Sequence, residues 1–408
     1  MCINAVIGSG VFLLPYESYT LLGPFSLWAP VLFAIPVFIL VLCFAEAASH
    51  FEQPGGAYLY ARAAFGDFVG FQTGWMNWLA RVTSLASLSN AFVLALGLLV
   101  PSVTTGPSRT AIITAMIVVL AAIHIVGVRQ GAASIYVLTL GKLIPLLGFI
   151  VVSLVVWKTN PLPGSFTPPA GDTKWIDAAL FMLFAYAGFE NLGVPAGEYK
   201  NPRRDLPLAL LAGILAIAVI YALVQLGAMS ALGDLSHSQT PIGTAAQALV
   251  GPAGAIIVTV GALLSMAGTN SGTMLEGSRM LYALACDRRM GPVSWIHPRF
   301  RTPVVAILIH SVAALAIAIP GSFRELVLLS TVARLATYLC TCLAIPRLRA
   351  LNPESRHRGL IIPVLGSLVS LVFVVSLDWK KVVAGVLALV AGGVVYLISR
   401  PRAGASVS

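Results

Sequence analysis

Three places in this sequence put chemistry-bearing residues where an apolar chain should carry none. The first is Gly8-Ser9-Gly10, followed by Val11, Phe12 and then Pro15. Each glycine inside a helix weakens it by about 1 kcal/mol relative to alanine. Glycine also lets the backbone unwind or another group approach closely. The second is Phe184-Ala185-Tyr186-Ala187-Gly188-Phe189-Glu190-Asn191, a glycine and a carboxylate in the middle of an apolar run. A carboxylate in hydrocarbon is costly unless paired or neutral, so Glu190 is a functional candidate by position. The third is Lys142, in Thr139-Leu140-Gly141-Lys142-Leu143-Ile144-Pro145. Lys142 has two explanations that both stay open: a side chain snorkelling to an interface, or a titrating or fixed cation packed against the first break.

Taken alone, Gly8-Ser9-Gly10 is equally a small-residue packing face between helices. The second interruption changes that balance, because the two sites occupy equivalent places if the chain is a five-plus-five repeat. Interrupted hydrophobic segments at corresponding positions of two halves point to a transport site. Free amides where the first helix restarts would face an anion, aided by the helix dipole. Free carbonyls where the sixth span stops would accept an ammonium group. An α-amino acid carries both charges at fixed separation, so the pair of breaks suits a zwitterion without using any side chain.

The elements that must hold these breaks are set by composition. Of 408 residues, 58% are apolar and 10% charged, with mean hydropathy +0.91, whereas soluble domains carry roughly 25% charged residues. Only a lipid-facing exterior accommodates that balance. Residues 26–44 and 111–128 are apolar without alternation, which favours helices of roughly 20 residues over strands of about 10. The sequence predicts an all-α integral membrane protein of about twelve spans. They fall near residues 1–16, 26–50, 68–99, 110–128, 132–157, 176–197, 205–232, 253–283, 303–320, 324–346, 359–377 and 381–399. Residues 1–157 would form the first inverted repeat and 176–346 the second, with 359–399 peripheral and 400–408 a cytoplasmic tail. Only seven residues precede Gly8, fewer than the about 10 helical residues that cross half a bilayer, so the first half-helix reads as clipped.

The formal charge of +10 looks like a nucleic-acid signal until it is placed. Under the span list Arg62, Arg129, Lys200, Arg203, Arg204, Arg288, Arg289, Arg299, Arg301, Arg347, Arg349, Arg356, Arg358, Arg400 and Arg402 fall on one side. Arg109, Lys158, Lys174, Arg324, Lys380 and Lys381 fall on the other. Basic loops stay cytoplasmic, so both termini are expected inside a plasma membrane, and no nucleic acid is implied. The five cysteines, Cys2, Cys43, Cys286, Cys340 and Cys342, lack metal or disulfide-framework spacing and read as packing residues. No Walker loop, nucleophile elbow or histidine–carboxylate cluster is present, which argues against an enzyme or a primary pump. No cofactor or metal is implied. The lipid bilayer and a small-molecule substrate are the expected partners, and a homodimer is left open.

Several separated motifs carry a family resemblance: Ile7-Gly8-Ser9-Gly10-Val11-Phe12, Pro54-Gly55-Gly56-Ala57-Tyr58, Gly188-Phe189-Glu190 and Glu198-Tyr199-Lys200-Asn201-Pro202-Arg203-Arg204-Asp205-Leu206-Pro207. In these the chain resembles the amino acid–polyamine–organocation superfamily over nearly its whole length. Within it the chain is similar to the basic amino acid/polyamine antiporters, the arginine/agmatine exchangers among them. The resemblance implies a 5+5 inverted-repeat fold with broken helices 1 and 6, and secondary transport of amino acids as a permease or antiporter. It implies that amides around Ile7, Gly8, Ser9 and Gly10 take the carboxylate, and that carbonyls of Phe184, Ala185 and Ala187, beside Gly188, take the amino group. Phe184 matches an aromatic gate, and Glu190 matches a glutamate tied to proton-sensitive release. Lys142 matches a lysine that stands where sodium-coupled relatives bind sodium, which points to a proton-linked, sodium-independent cycle. Met274 falls where the arginine exchangers have a second gating tryptophan, which loosens the case for a cationic amino acid or polyamine. A non-transporting amino acid receptor on the same fold is the other alternative. Glu276 and Arg279, three apart on one helix, read as an intrahelical pair. Arg334 is an embedded cation whose partner is open, and Arg62 with residues 200–205 reads as structural or as an inward gate by family analogy.

Overall fold

Glycine and proline punctuate the helices. The computed structural model describes residues 6–51, 55–127, 132–156, 167–169, 172–191, 201–351 and 359–399. Among them, helix α1 (Gly10–Leu22) starts directly after a bend at Gly8 and Ser9. It runs through a 3-10 turn, Gly23–Trp28, into α2 (Ala29–Ser49). Two short helices were not foreseen, α3 (Ala57–Phe65) and α9 (Pro241–Val250). Gly66, at φ +87°, turns the chain from α3 into α4 (Asp67–Gly97). Next come α5 (Gly106–Val126), α6 (Ala132–Val155), α7 (Asp172–Tyr186) and α8 (Pro202–Leu232). After α9 the chain continues through α10 (Pro252–Arg288), α11 (Val304–Ala318), α12 (Phe323–Leu351), α13 (Ile361–Val375) and α14 (Trp379–Ile398).

Among the described residues, seven helical stretches are long and apolar enough to cross a membrane, and three shorter apolar helices accompany them. The first stretch, Gly10–Ser49, joins what the sequence divides into two spans. Gly23-Pro24 does not stop the helix; it tightens it into a 3-10 turn, which a proline in the first turn tolerates. Cys2, Pro54, Arg129, Lys158, the Glu198-Tyr199-Lys200 motif, Arg356, Arg358 and residues 400–408 lie outside the described residues, as do the side chains of Lys174 and Arg203.

Helix α4 is the hub: α10, α12 and α11 all pack against it. Buried residues make up 78% of its most apolar window but only 6% of that of α14. The bundle interior and its lipid-facing rim are therefore different helices. Around the hub α1 packs on α7, α2 on α8, and α6 on both α8 and α10. Large apolar side chains such as Ile144, Val151, Leu215, Val312 and Leu397 remain exposed. An exterior of this kind is stable against hydrocarbon rather than water. The interior, by contrast, holds Arg81, Lys142, Glu190, His310 and Arg334, each buried.

Candidate functional site

The two interruptions meet. Helix α1 begins at Gly10, and its first hydrogen bonds run from the Phe12 and Leu13 amides to the Ser9 carbonyl, both at 3.0 Å. The amides ahead of these are the ones a helix start leaves without an intrahelical acceptor. On the other side α7 stops at Tyr186, Gly188 takes φ +123°, and a 3-10 turn Phe189–Asn191 follows. A Cβ on Gly10 would lie 2.9 Å from Cα of Ala185. No residue larger than glycine fits between these backbones without displacing one of them. Gly8 is nearly as close to α10, where its Cβ would stand 3.2 Å from Thr269 Cγ2.

The carbonyls at the first break are occupied from two helices. Lys142, 1% exposed, donates from Nζ to the Ile7 carbonyl at 2.7 Å. Ser265 Oγ of α10 lies 3.4 Å from that carbonyl and 3.3 Å from the Gly8 carbonyl, and Thr269 Oγ1 lies 3.5 Å from Ile7 O. Lys142 is therefore packed against the break, not directed to an interface. At the second break the Ala185 carbonyl accepts from Tyr221 at 2.8 Å and the Phe184 carbonyl from the Ala187 amide at 3.0 Å. The Ser9 hydroxyl is buried with no partner among the described residues.

Below the second break lies a four-charge cluster. Glu190 Oε1 accepts from Arg81 Nη2 at 2.7 Å and from Arg334 Nε at 2.9 Å. Its Oε2 accepts from the Gly188 amide at 2.8 Å and from the Tyr338 hydroxyl at 3.4 Å. Arg81 also donates to Asn191 Oδ1 at 2.7 Å and pairs with Glu276 at 3.3 Å. Arg334 reaches Ser84 Oγ at 2.8 Å, donates to Ser330, and holds its guanidinium 5.6 Å from the Phe184 ring centroid. Phe44 meets Phe189 and Tyr338 edge-on at 5.4 and 5.6 Å, walling the cluster from the side.

Several expectations change here. Glu276 does not pair with Arg279 along α10; it pairs across to Arg81 of α4. The Arg81 guanidinium is buried within ion-pair distance of Glu276, while the Arg279 side chain stands on the exposed surface of α10. The partner left open for Arg334 is Glu190. Sequence reasoning passed over Arg81, although a lone cation in Trp78-Leu79-Ala80-Arg81-Val82 is the same signal that singled out Glu190. Met274 is fully buried, but its sulfur meets Ser311 of α11 at 3.6 Å and it packs with Trp78, Val82 and Leu85. At about 100° per residue, Met274 sits on the opposite side of α10 from Ser265, Thr269, Gly272 and Glu276. The structure thus brings Ile7, Gly8, Ser9, Gly10, Phe184, Ala185, Ala187, Gly188, Glu190 and Lys142 together, and leaves Met274 outside.

Two further charge groups close the end of the bundle that carries Arg62. Arg62 pairs with Asp67 at 2.7 Å and Asp287 at 3.3 Å, and Tyr58 donates to Asp287. Burial, and after it the Asp287 carboxylate, push the Tyr58 phenol up, so it stays a donor at neutral pH. Arg349 of α12 grips Glu46 of α2 through Nε at 2.6 Å and Nη2 at 2.8 Å. At the other end Lys381 bridges Asp378 at 2.8 Å and Asp177 at 3.4 Å.

A family model described as amino acid permease matches residues 1–396. The serine/threonine exchanger SteT of Bacillus subtilis (strain 168) is 31% identical over 332 residues, 77% of this chain and 73% of the relative. The branched-chain amino acid permease BcaP of the same organism is 25% identical over 423 residues, 97% of this chain and 90% of the relative. An uncharacterised transporter of Mycobacterium tuberculosis (strain ATCC 25618 / H37Rv) is 26% identical across 98% of the chain and 89% of its own length.

Proposed function

This chain belongs to the amino acid permease family, and on that premise we propose that it is a secondary active transporter that binds an amino acid between its two helix breaks. The observation that carries this is the contact of the breaks, with Gly10 set against Ala185. The amides opening α1 take the carboxylate, where the positive end of the helix dipole stabilises an anion. The carbonyls ending α7 take the ammonium; Ala185 and Phe184 each accept one hydrogen bond already and keep a second lone pair. Named activities of the relatives, a serine/threonine exchanger and a branched-chain amino acid permease, support the same substrate class.

Lys142 fits a sodium-independent cycle. Its ammonium already fills the carbonyl group that a bound cation would need, alongside Ser265 and Thr269, and two cations do not share one set of oxygens. Proton linkage falls to Lys142, because two guanidiniums on Oε1 hold Glu190 as a carboxylate, and Phe184 is the gate over the substrate. The twelve spans form two inverted repeats of five with the last two peripheral, and a bundle rocks about the site. Both termini face the cytoplasm, a reading that the distribution of basic residues supports.

Counterflow in proteoliposomes tests this. Vesicles loaded with unlabelled amino acid should accumulate labelled amino acid above equilibrium, with no requirement for sodium. Conductive flux without counterflow, or binding without flux, would overturn transport by alternating access.

A further inference from the structure

Resting on the amino acid site just proposed, the charge cluster beneath it carries a statement about which amino acids enter. We propose that Arg81 is a specificity-determining residue: with Arg334 it cancels Glu190, so the site takes amino acids with uncharged side chains and rejects cationic ones, seating the side chain over Gly272.

Every face of the Glu190 carboxylate is taken. Arg81 and Arg334 share Oε1 at 2.7 and 2.9 Å, while Gly188 and Tyr338 occupy Oε2. The other carboxylate of the cluster, Glu276, pairs with Arg81 at 3.3 Å. Two arginines and two glutamates sum to zero. A lysine or arginine side chain arriving here would find no unpaired counter-ion and two fixed guanidiniums. An uncompensated buried charge of that sort is disfavoured by a factor on the order of a hundred or more. An uncharged side chain meets no such penalty.

Helix α10 leaves the room for it. Ser265, Thr269, Gly272 and Glu276 recur at helical spacing on one face, the face that touches the first break at Ile7 and Gly8 and reaches Arg81 at Glu276. Between those two levels a Cβ on Gly272 would meet nothing within 4 Å. Nor is Glu276 closed off, its side chain being 32% exposed against 5% or less for Arg81, Glu190 and Arg334. By helical phase the open space at Gly272 lies between the level of the break and the level of the neutral cluster.

The test is a competition panel against labelled neutral amino acid in proteoliposomes, with serine, leucine, phenylalanine, lysine and arginine as competitors. On wild-type protein the neutral competitors should act at least about a hundredfold more strongly than lysine or arginine. Arg81→Gln leaves one uncancelled carboxylate, and competition by lysine should strengthen about tenfold or more. Adding Glu276→Gln restores zero net charge, and that gain should disappear. Gly272→Leu fills the side-chain space and should weaken leucine and phenylalanine more than serine. Wild-type protein that accepts lysine as well as serine overturns the proposal. So does a double variant that keeps the gain of the single one. Should Arg81→Gln not fold, the wild-type panel and Gly272→Leu still decide the matter. Failure of every amino acid to exchange would overturn the transport reading itself, and is distinguishable because no neutral competitor would then act either.

Discussion

Lys142 and Glu190 are the two charges that a hydrocarbon interior tolerates least, and each is held by a different device. Lys142 leans on backbone oxygen at Ile7, 2.7 Å away. Truncating it to alanine would also empty one of the largest fully buried side-chain positions, so the nearly isosteric Lys142→Met separates charge from volume. Lys142→Met should cut counterflow by about tenfold or more while shifting the thermal midpoint by only ~2–4 °C, read by transport and unfolding on one preparation. Wild-type flux in that variant would return Lys142 to a packing role. Glu190 leans on side chains, Arg81 and Arg334 on one oxygen and Tyr338 on the other. Protonating it would dissolve both ion pairs, so Glu190 stays a carboxylate, and Glu190→Gln should weaken exchange while leaving the shape of its pH profile unchanged. A flattened pH profile in that variant would return Glu190 to coupling. Both residues were legible because a charge inside an apolar run is conspicuous. Arg81 carried the same signal. What no single sequence could supply is pairing, since Glu190 sits on a turn after α7 while its partners stand on α4 and α12. Gly272 was illegible for a related reason: its importance lies in the phase of α10 relative to the break, and a two-residue error in register selects Met274 on the opposite face.

At the level of elements, the contact between α1 and the end of α7 is the feature on which the site depends. Gly10→Ala should abolish counterflow, because the added methyl would stand 2.9 Å from Ala185 Cα. Gly148→Ala in α6 meets nothing within 4 Å and should leave transport intact with a slight gain in stability, about 0.5–1 kcal/mol. Equal effects from the two variants would mean that the breaks do not need to touch. The tie between α2 and α12 is a different kind of contact. Glu46 and Arg349 are 9% and 6% exposed, and breaking one partner of a buried pair costs about 3–5 kcal/mol. Glu46→Gln should therefore lower the thermal midpoint clearly. The Asp378 carboxyl is held low by hydrogen bonds from Lys381 and caps α14 from solvent, and Asp378→Asn should cost less than about 1 kcal/mol. Long helices were readable from hydropathy within a few residues of their ends. Helices α3 and α9 were not, since nine and ten residues of mixed polarity are too short to separate from loop by periodicity.

On the scale of the whole molecule, a formal charge of +10 and an apolar exterior describe a protein sorted by a bilayer, with charge at its ends and in one internal layer. The hub helix α4 links these parts: it is flanked by the Arg62 cluster at its start, carries Arg81 at mid-length and offers Asn90 to Arg109 near its end. Membrane embedding and the transporter class were legible from composition and from the paired interruptions, because both follow from physics that acts on short stretches of chain. The arrangement of the spans in space does not follow from composition or hydropathy. The central claim, that backbone groups at the breaks read a zwitterion, is tested most directly by competition with analogues that lack one charge. A neutral amino acid, its methyl ester and its α-hydroxy acid should be compared for inhibition of labelled amino acid counterflow. The parent should compete and both analogues should fail, since each leaves one set of break groups unmatched. An ester or hydroxy acid that competes as well as the parent would contradict it, and would place recognition on the side chain instead of the breaks.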